Sequence, residues 1–262
     1  MYRGFELDIN DWDIKPHYNK GLEVFKYFEP KVQKVLDEYL KDNKSLDGEK
    51  MREDWFPEVD ADVFISHSHK DKHLAICLAG WLYTNFKLKS FIDSMIWGYA
   101  DNLLREIDDN YCKSNNVYNY RLRNYSTSHV HAMLSISLTK MIDKAECFFF
   151  IKTDNSITTE KAILTPNTYS PWIYSEIEMS RLVRKKPLKE YRKISESQIR
   201  MFTEKHRVFL NENLKIEYPL NMDHLNDLSK SELILWKCNQ VNEKWEYPLD
   251  VLYRNQKPNN RL

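Results

Sequence analysis

The stretch "DVFISHSHKDKHLAICLAGWLYTNFKLKSFID", residues 62 to 93, decides the fold of this chain. Residues 62–66 form a short apolar run with β-branched and aromatic members, which is typical of a buried strand. A polar turn follows, and then comes the broad apolar face of a helix, formed by Leu74, Ile76, Cys77, Leu78, Trp81 and Leu82. A second strand is predicted at 89–93. Strand, helix and strand within about thirty residues indicate a βαβ unit with a right-handed crossover.

The same alternation continues along the chain. A helix is predicted near 100–110, and a polar block rich in Asn and Tyr, near 111–128, reads as an insertion loop. A second helix then precedes a third strand at 146–151, and a further helix is predicted at 171–186. This order predicts an α/β fold with a central parallel sheet and helices on both faces. Ligands of such sheets bind beyond the carboxyl ends of the strands.

The two ends of the chain differ from this pattern. Residues 1–58 are predicted to form an N-terminal helical extension, because apolar residues recur there at helical spacing, and Pro30 divides it into two helices. The extension either covers one face of the main domain or serves oligomerisation or partner sensing. Towards the other end we predict a charged insertion at 187–205, strands in "RVFLNE" and "LKIEYPL", a final helix with Ser229 as its N-cap, and a polar tail at 256–262.

Composition narrows the range of functions. Lys plus Arg and Asp plus Glu both number 39, so no global field favours nucleic acid or an anionic membrane. Only five glycines occur and no G-x-G-x-x-G or G-K-[ST] string, which argues against a glycine-rich phosphate loop. Four widely spaced cysteines favour reduced thiols in the cytoplasm. Neither a signal peptide nor a membrane span is predicted.

Four segments, taken together and in this order, resemble a Toll/interleukin-1 receptor (TIR) domain: "DVFISHSHKD" (62–71), "FIDS" (91–94), "ISLTKMIDKAECFFFI" (136–151) and "SPWIYSEI" (170–177). The resemblance implies a flavodoxin-like fold over residues 59–255, with insertions near 111–128 and 187–205. The spacing W-x-x-x-E at Trp172 and Glu176 is similar to that of the enzymatic branch of the family.

The resemblance also implies a function. Enzymatic TIR domains cleave the nicotinamide–ribose bond of NAD+ with a glutamate on the helix after the third strand, a place that Glu176 occupies here. NAD+ is then the substrate and no separate cofactor is needed. The product would be ADP-ribose, a cyclic isomer or an ADP-ribose conjugate. Bacterial stand-alone members, including those of Thoeris systems, act in anti-phage defence, which implies a homo-oligomer on activation and a separate effector that responds to the product.

The chemistry of this bond needs one carboxylate. Its cleavage leaves an oxocarbenium-like ribose, and the pyridinium is already a good leaving group, so electrostatic stabilisation by a single glutamate suffices. Trp172 and Glu176 are four residues apart and share a helix face. Glu178 is turned by about 200° and is predicted to be solvated or structural. The alternative is that Trp172 anchors the core and Glu176 is a first-turn glutamate favoured by the helix dipole.

Other candidate binding residues follow the first two strands. Ser66 and His67 either reach a phosphate or ribose or cap the next helix. Asp93 and Trp97 lie after the second strand, where Trp97 either stacks on nicotinamide or adenine or forms an assembly contact. The histidine pairs 69/73 and 129/131 lack a recognisable cysteine partner, so no metal site is predicted.

Two other functions remain open. A non-catalytic TIR assembly or adaptor module would use the loops and the N-terminal helices, and Glu176 would be dispensable. A nucleoside deoxyribosyltransferase-like N-glycosidase would also use one glutamate in an α/β fold, but it would prefer free nucleosides or nucleoside monophosphates to NAD+.

Overall fold

A computed structural model describes residues 1–9, 12–28, 36–42, 45–114, 116–158, 166–192, 218–243 and 246–256 of the chain. Its strands, in chain order, are β1 (Arg3–Asp8), β2 (Val63–Ser66), β3 (Ser90–Ile92), β4 (Lys113–Ser114), β5 (Val117–Tyr118), β6 (Cys147–Lys152), β7 (Asn167–Thr168), β8 (Tyr218–Pro219) and β9 (Leu225–Ser229). Five of them form a parallel sheet in the order β3-β2-β6-β1-β9. Two short antiparallel pairs, β4–β5 and β7–β8, lie outside it.

Helices flank this sheet. They are α1 (Tyr18–Tyr27), α2 (Gly48–Trp55), α3 (Lys72–Phe86), α4 (Ser94–Tyr111), α5 (Tyr120–Lys144), α6 (Pro171–Leu182), α7 (Lys230–Asn242) and α8 (Pro248–Asn255). One group joins α3 to α1 and α7, and a second joins α5 to α2, α4 and α6. The predicted α/β fold with a central parallel sheet, consistent with a flavodoxin-like arrangement, is confirmed.

The central strands form because they are apolar on both faces. All four residues of β2 are buried, and so are five of the six residues of β6. A strand that helices cover on both faces has a continuous apolar run in its sequence, and both β2 and β6 have such a run. The ring of Phe64 packs between Phe91 and Phe148, with ring centroids 5.4 Å and 5.6 Å away. This aromatic layer fixes β2 against both of its neighbours.

The N-terminal region differs from its prediction. It contains α1 and α2, but it also contributes β1, which lies between β6 and β9 inside the sheet. The expectation of helices alone was therefore wrong for residues 3–8. Phe5, Leu7 and Ile9 alternate with polar residues and are at most 1% exposed, which is the period of a strand. Pro30 lies outside the described residues.

Helix α1 is joined to the domain by an unusually close contact with α3. A Cβ atom on Gly21 would lie 1.7 Å from the carbonyl oxygen of Ile76, and one on Gly80 would lie 2.0 Å from the carbonyl oxygen of His17. The two helix backbones touch at these glycines, where no side chain fits. The N-terminal region is thus packed into the domain through both a strand and a helix.

Two predicted insertions also have more structure than expected. The polar block near 111–128 was predicted as a loop, but it contains the β4–β5 pair and the start of α5, whose N-cap Asn119 accepts a hydrogen bond from the backbone of Leu122. In the segment 187–205, residues 187–192 include a 3-10 turn, and Arg192 bridges Glu146 and Asp250. Residues 193–205 are outside the described ranges.

The C-terminal predictions have mixed outcomes. Helix α7 begins after Ser229, whose side chain forms a capping box with Glu232, as predicted for the final helix. The strand β9 before it and the helix α8 after it were not predicted. "RVFLNE" is outside the described ranges, and of "LKIEYPL" only the residues from Tyr218 are described. Within those ranges no helix has both the length and the apolar composition needed to cross a membrane.

The glycine contact predicts how the N-terminal region contributes to stability. Replacing Gly21 with Ala should lower the free energy of unfolding by about 3 kcal/mol, because the added Cβ meets backbone that cannot rotate away. The measurement is urea unfolding followed by circular dichroism. Gly48→Ala is the matched control, since a Cβ there meets only the Cε of Met133 at 3.5 Å, and it should be neutral or slightly stabilising. Equal effects of both changes would contradict the close packing of α1 on α3.

Candidate active site

The candidate site lies at the carboxyl ends of β2 and β3. The helix that leaves β2 is α3, and the helices that leave β3 are α4 and α5, which belong to the other helix group. The connections from these adjacent strands therefore run to opposite faces of the sheet. Such a topological switch opens a crevice at the carboxyl edge, where ligands of open α/β sheets bind.

Four of the predicted site residues meet in this crevice and are fully buried: Ser66, His67, Asp93 and Glu176. Oγ of Ser66 donates a hydrogen bond of 2.6 Å to Oε2 of Glu176. Nδ1 of His67 lies 2.5 Å from Oδ1 of Asp93, and the backbone N–H of His67 donates to Oδ2 at 3.4 Å. The fold thus assembles one polar cluster from three segments that are far apart in the sequence.

Local capping chemistry places the two carboxyl groups. Asp93 is the N-cap of α4 and accepts a hydrogen bond of 2.6 Å from the backbone of Ser94. Helix α6 begins after Ser170, whose Oγ accepts from the backbone of Ile173 at 3.3 Å, and Pro171 occupies the first helical position. This start puts Glu176 in the second helical turn, with its carboxyl group against Ser66 at the end of β2. It is a buried residue and not a solvated first-turn glutamate.

Burial sets the protonation of the cluster. Burial, and then the neighbouring Asp93 carboxyl, raise the pKa of Glu176 well above its usual range, although the hydrogen bond from Ser66 opposes this. Burial also raises the pKa of Asp93 to about 7 and lowers the pKa of His67 to about 4. Burial therefore favours the protonated form of Glu176, and His67 is uncharged near neutral pH.

The half-buried ring of Trp97, on the first turn of α4, covers the cluster. It stacks on His67 with a centroid distance of 6.0 Å and an interplanar angle of 4°, and on His69 at 6.0 Å and 21°. Among the described residues, Nε1 of Trp97 and Nε2 of His67 are buried without a hydrogen-bond partner. Buried polar atoms are rarely left unpaired, so two of them beside this cluster mark it as a place for a polar ligand.

Trp172 lies at the side of this cluster. It is half-buried, one turn before Glu176 on α6, and its ring meets the edge of His131 on α5 at 5.5 Å. It packs against the core but is not enclosed by it. The structure therefore brings Ser66, His67, Asp93, Trp97 and Glu176 together and leaves Trp172 beside them.

One residue of this region was not predicted. Asp71 is buried at the N-cap of α3 and accepts hydrogen bonds from Oγ1 of Thr153 at 2.5 Å and from Nδ2 of Asn155 at 2.7 Å. It ties the loop after β2 to the loop after β6. Ser66 and His67 do not cap α3. In the sequence Asp71 looks like an ordinary helix cap, so only the pairing of β2 with β6 could have indicated its role.

Two of the histidines for which no metal site was predicted contact aromatic rings. His73 stacks on Tyr18 at 4.4 Å, and His69 contacts Trp97. No set of three or more His, Cys, Asp or Glu side chains in the described ranges is arranged to hold a metal ion. No family model, curated protein or solved structure matches the chain.

The raised pKa of Glu176 predicts a pH-dependent stability difference. A carboxyl group that stays protonated in the folded state makes the fold less stable as pH rises above about 4.5, where the unfolded chain ionises. Gln cannot ionise, so Glu176→Gln should gain up to about 1.4 kcal/mol relative to wild type for each pH unit above that value. Urea unfolding at pH 5, 6 and 7 measures this difference.

The control for this experiment is Glu178→Gln on the same helix. The side chain of Glu178 is 23% exposed and is paired with Arg181. Glu178→Gln should therefore not gain stability relative to wild type as pH rises. A stability difference between Glu176→Gln and wild type that does not change with pH would show that Glu176 is ionised in the folded protein.

Proposed function

We propose that the chain is a TIR-type NAD+ nucleosidase or ADP-ribosyl-transfer enzyme, with Glu176 as its catalytic residue. The observation that carries the proposal is the buried cluster in which Ser66 donates to Glu176 at the switch point of the sheet, beside Asp93 and His67. A single carboxyl group lined by hydrogen-bond partners and by an aromatic ring is what cleavage of a nicotinamide–ribose bond requires.

The reaction would proceed at C1 of the ribose. The C1–N bond breaks and its electron pair passes to the pyridinium nitrogen, so neutral nicotinamide leaves without needing a proton. Ionised Glu176 stabilises the positive charge on the ribose, and Ser66 orients the carboxylate. Water or another nucleophile then bonds to C1 and gives up a proton, which the carboxylate can accept. Trp97 supplies a ring on which a base can stack.

The closed form must open for this chemistry. Glu176 is inaccessible and its burial favours the protonated form, whereas the mechanism needs its carboxylate next to the substrate. Trp97 is the cover, since its ring lies over His67 and on the first turn of α4. Rotation of that ring admits water and the cationic nicotinamide ring, and both lower the pKa of Glu176 towards its usual value. The positive charge of the substrate and the negative charge of Glu176 would therefore appear in the site together.

The product and the biological role follow from the choice of nucleophile. Water gives ADP-ribose, an adenine nitrogen of the same molecule gives a cyclic isomer, and an added acceptor gives a conjugate. We propose that this product is a messenger in anti-phage signalling, read by a separate effector protein. Homo-oligomerisation on activation, in the cytoplasm, would open the site. Family resemblance supports this role.

Two observations favour other functions. Complete burial of Glu176 also suits a non-catalytic assembly module, in which the cluster is a structural part of the domain. The second acid, Asp93, has a pKa near 7 and suits an N-glycosidase that must protonate a neutral base, as on a free nucleoside. Pyridinium needs no such acid. Both alternatives are outcomes of the next experiment.

Glu176→Gln should lower nicotinamide release from NAD+ by about 100-fold or more, because the amide cannot stabilise the ribose cation. The purified full chain is incubated with NAD+, with and without a crowding agent that promotes assembly, and nicotinamide is measured by chromatography. Glu178→Gln, two residues away on the opposite face of α6, is the matched control and should keep wild-type turnover.

Three results would contradict this proposal. Equal turnover by wild type and Glu176→Gln would remove Glu176 from the catalytic role. No turnover under any assembling condition would favour the assembly module. Faster cleavage of free nucleosides or nucleoside monophosphates than of NAD+ would favour the N-glycosidase.

Trp172→Ala should lower NAD+ turnover by about tenfold while the protein stays folded, because loss of one aromatic stacking surface costs about 1–3 kcal/mol. Trp172 is half-buried, so its removal leaves the core closed. Turnover per folded molecule is measured beside a thermal melt. Trp12→Ala is the control, since Trp12 is half-buried against Trp81, away from the cluster, and turnover should not change. Unfolding of Trp172→Ala would instead make Trp172 a core anchor.

A further inference from the structure

A second cavity, of about 650 Å³, lies on the other side of α6 from the candidate active site. Its volume falls in the range of about 300–1,000 Å³ that is usual for small-molecule sites. Strands β1, β6 and β9 supply one side and α6 supplies the opposite side. The side chains that the following argument uses are Glu6, Lys152, Asp227, Tyr174, Glu178 and Arg181.

Helix geometry separates this cavity from Glu176. Tyr174, Glu178 and Arg181 are four and three residues apart, so they share one face of α6. Glu176 is turned by about 200° from Glu178 and faces the buried cluster instead. The body of α6 thus stands between two polar sites, and Glu178 belongs to the second one.

Two carboxyl groups are held together on the sheet side of this cavity. Glu6 and Asp227 are register partners on the adjacent strands β1 and β9, and Lys152 donates to Oε1 of Glu6 at 2.9 Å. Burial and the hydrogen-bonded carboxyl of Asp227 raise the pKa of Glu6, while Lys152 opposes this. Like charges directly opposite each other on neighbouring strands destabilise a sheet. A further cation beside this pair would therefore reduce the repulsion between its carboxylates.

The rest of the lining also favours a positive ligand. Among the described residues that line the cavity, four are carboxylates, including Glu178 and Asp223, and two are cationic, Lys152 and Arg181. Each of these two cations is already paired with one of the carboxylates. Tyr174 adds an aromatic wall, which Tyr218 holds in place by stacking at 4.8 Å and 16°. Aromatic faces attract organic cations. Because the described residues form no group of three or more metal-ligating side chains, the lining suits an organic cation better than a metal ion.

We propose that this cavity binds a small organic cation, a protonated aliphatic amine whose ammonium group lies between Glu6 and Asp227 and whose apolar body packs against Tyr174. Binding does not involve Glu176, so it is independent of NAD+ cleavage.

Isothermal titration calorimetry of the full chain with 1,5-diaminopentane tests this site. At physiological ionic strength, where non-specific charge effects are screened, one saturable site per chain is expected. Glu6→Gln and Asp227→Asn should each weaken binding by about tenfold or more, and so should Tyr174→Leu, which keeps every charge. Glu176→Gln should bind as wild type does, even if it no longer cleaves NAD+.

Two controls make the result specific. Glu23→Gln removes an exposed carboxylate from α1 and should leave binding unchanged. The uncharged analogue 1,5-pentanediol should not bind. Absence of saturable amine binding by folded wild type would overturn the proposal, and so would equal affinity in wild type and Asp227→Asn. Saturable binding of Mg²⁺ that the amine does not displace would make the cavity a metal site instead.

Discussion

A carboxyl group that is cut off from water holds its charge only if the protein supplies a compensating partner, and this constraint governs the site around Glu176. The partners present are a neutral hydroxyl from Ser66, the like-charged Asp93 and His67, which burial keeps neutral. None of them is a cation. The closed cluster therefore stabilises the protonated form of Glu176, and charge can appear there only when water or a cationic ligand enters.

The parts of the fold that were predicted are those with a strong local pattern. The apolar runs of β2 and β6 and the helical face of α3 are visible in single windows of sequence, and the rule that ligands bind at strand ends then located Ser66, His67 and Asp93. The strand β1 was missed because it is short and alternates only three times, at Phe5, Leu7 and Ile9. Its place in the sheet depends on β6, more than 100 residues later, and no local signal reports such pairing.

The candidate site shows the same contrast between what a local sequence pattern predicts and what depends on long-range packing. Its members were predicted, but their burial was not, because burial results from the packing of three loops that the sequence does not place relative to each other. Asp71 shows this well, since its partners Thr153 and Asn155 come close only when β2 pairs with β6. Glu178 was separated from Glu176 by helix geometry, yet it lines a cavity whose other side includes Glu6 on the unpredicted strand.

Helix α6 connects these findings, and its ties limit which part of the molecule can open the site. On one face it carries Glu176 and, one turn later, Ser180, whose Oγ lies 2.8 Å from Nε2 of His224; on the other face Glu178 pairs with Arg181. A shift of α6 large enough to expose Glu176 would disturb both faces at once. The first turn of α4 covers the cluster through ring stacking of Trp97 on His67 and His69, which has weaker directional demands than buried hydrogen bonds. Rotation of the Trp97 ring, with Asp93 left in place, is therefore easier than a shift of α6. Glu176 can then keep its position on a fixed helix while water enters around it.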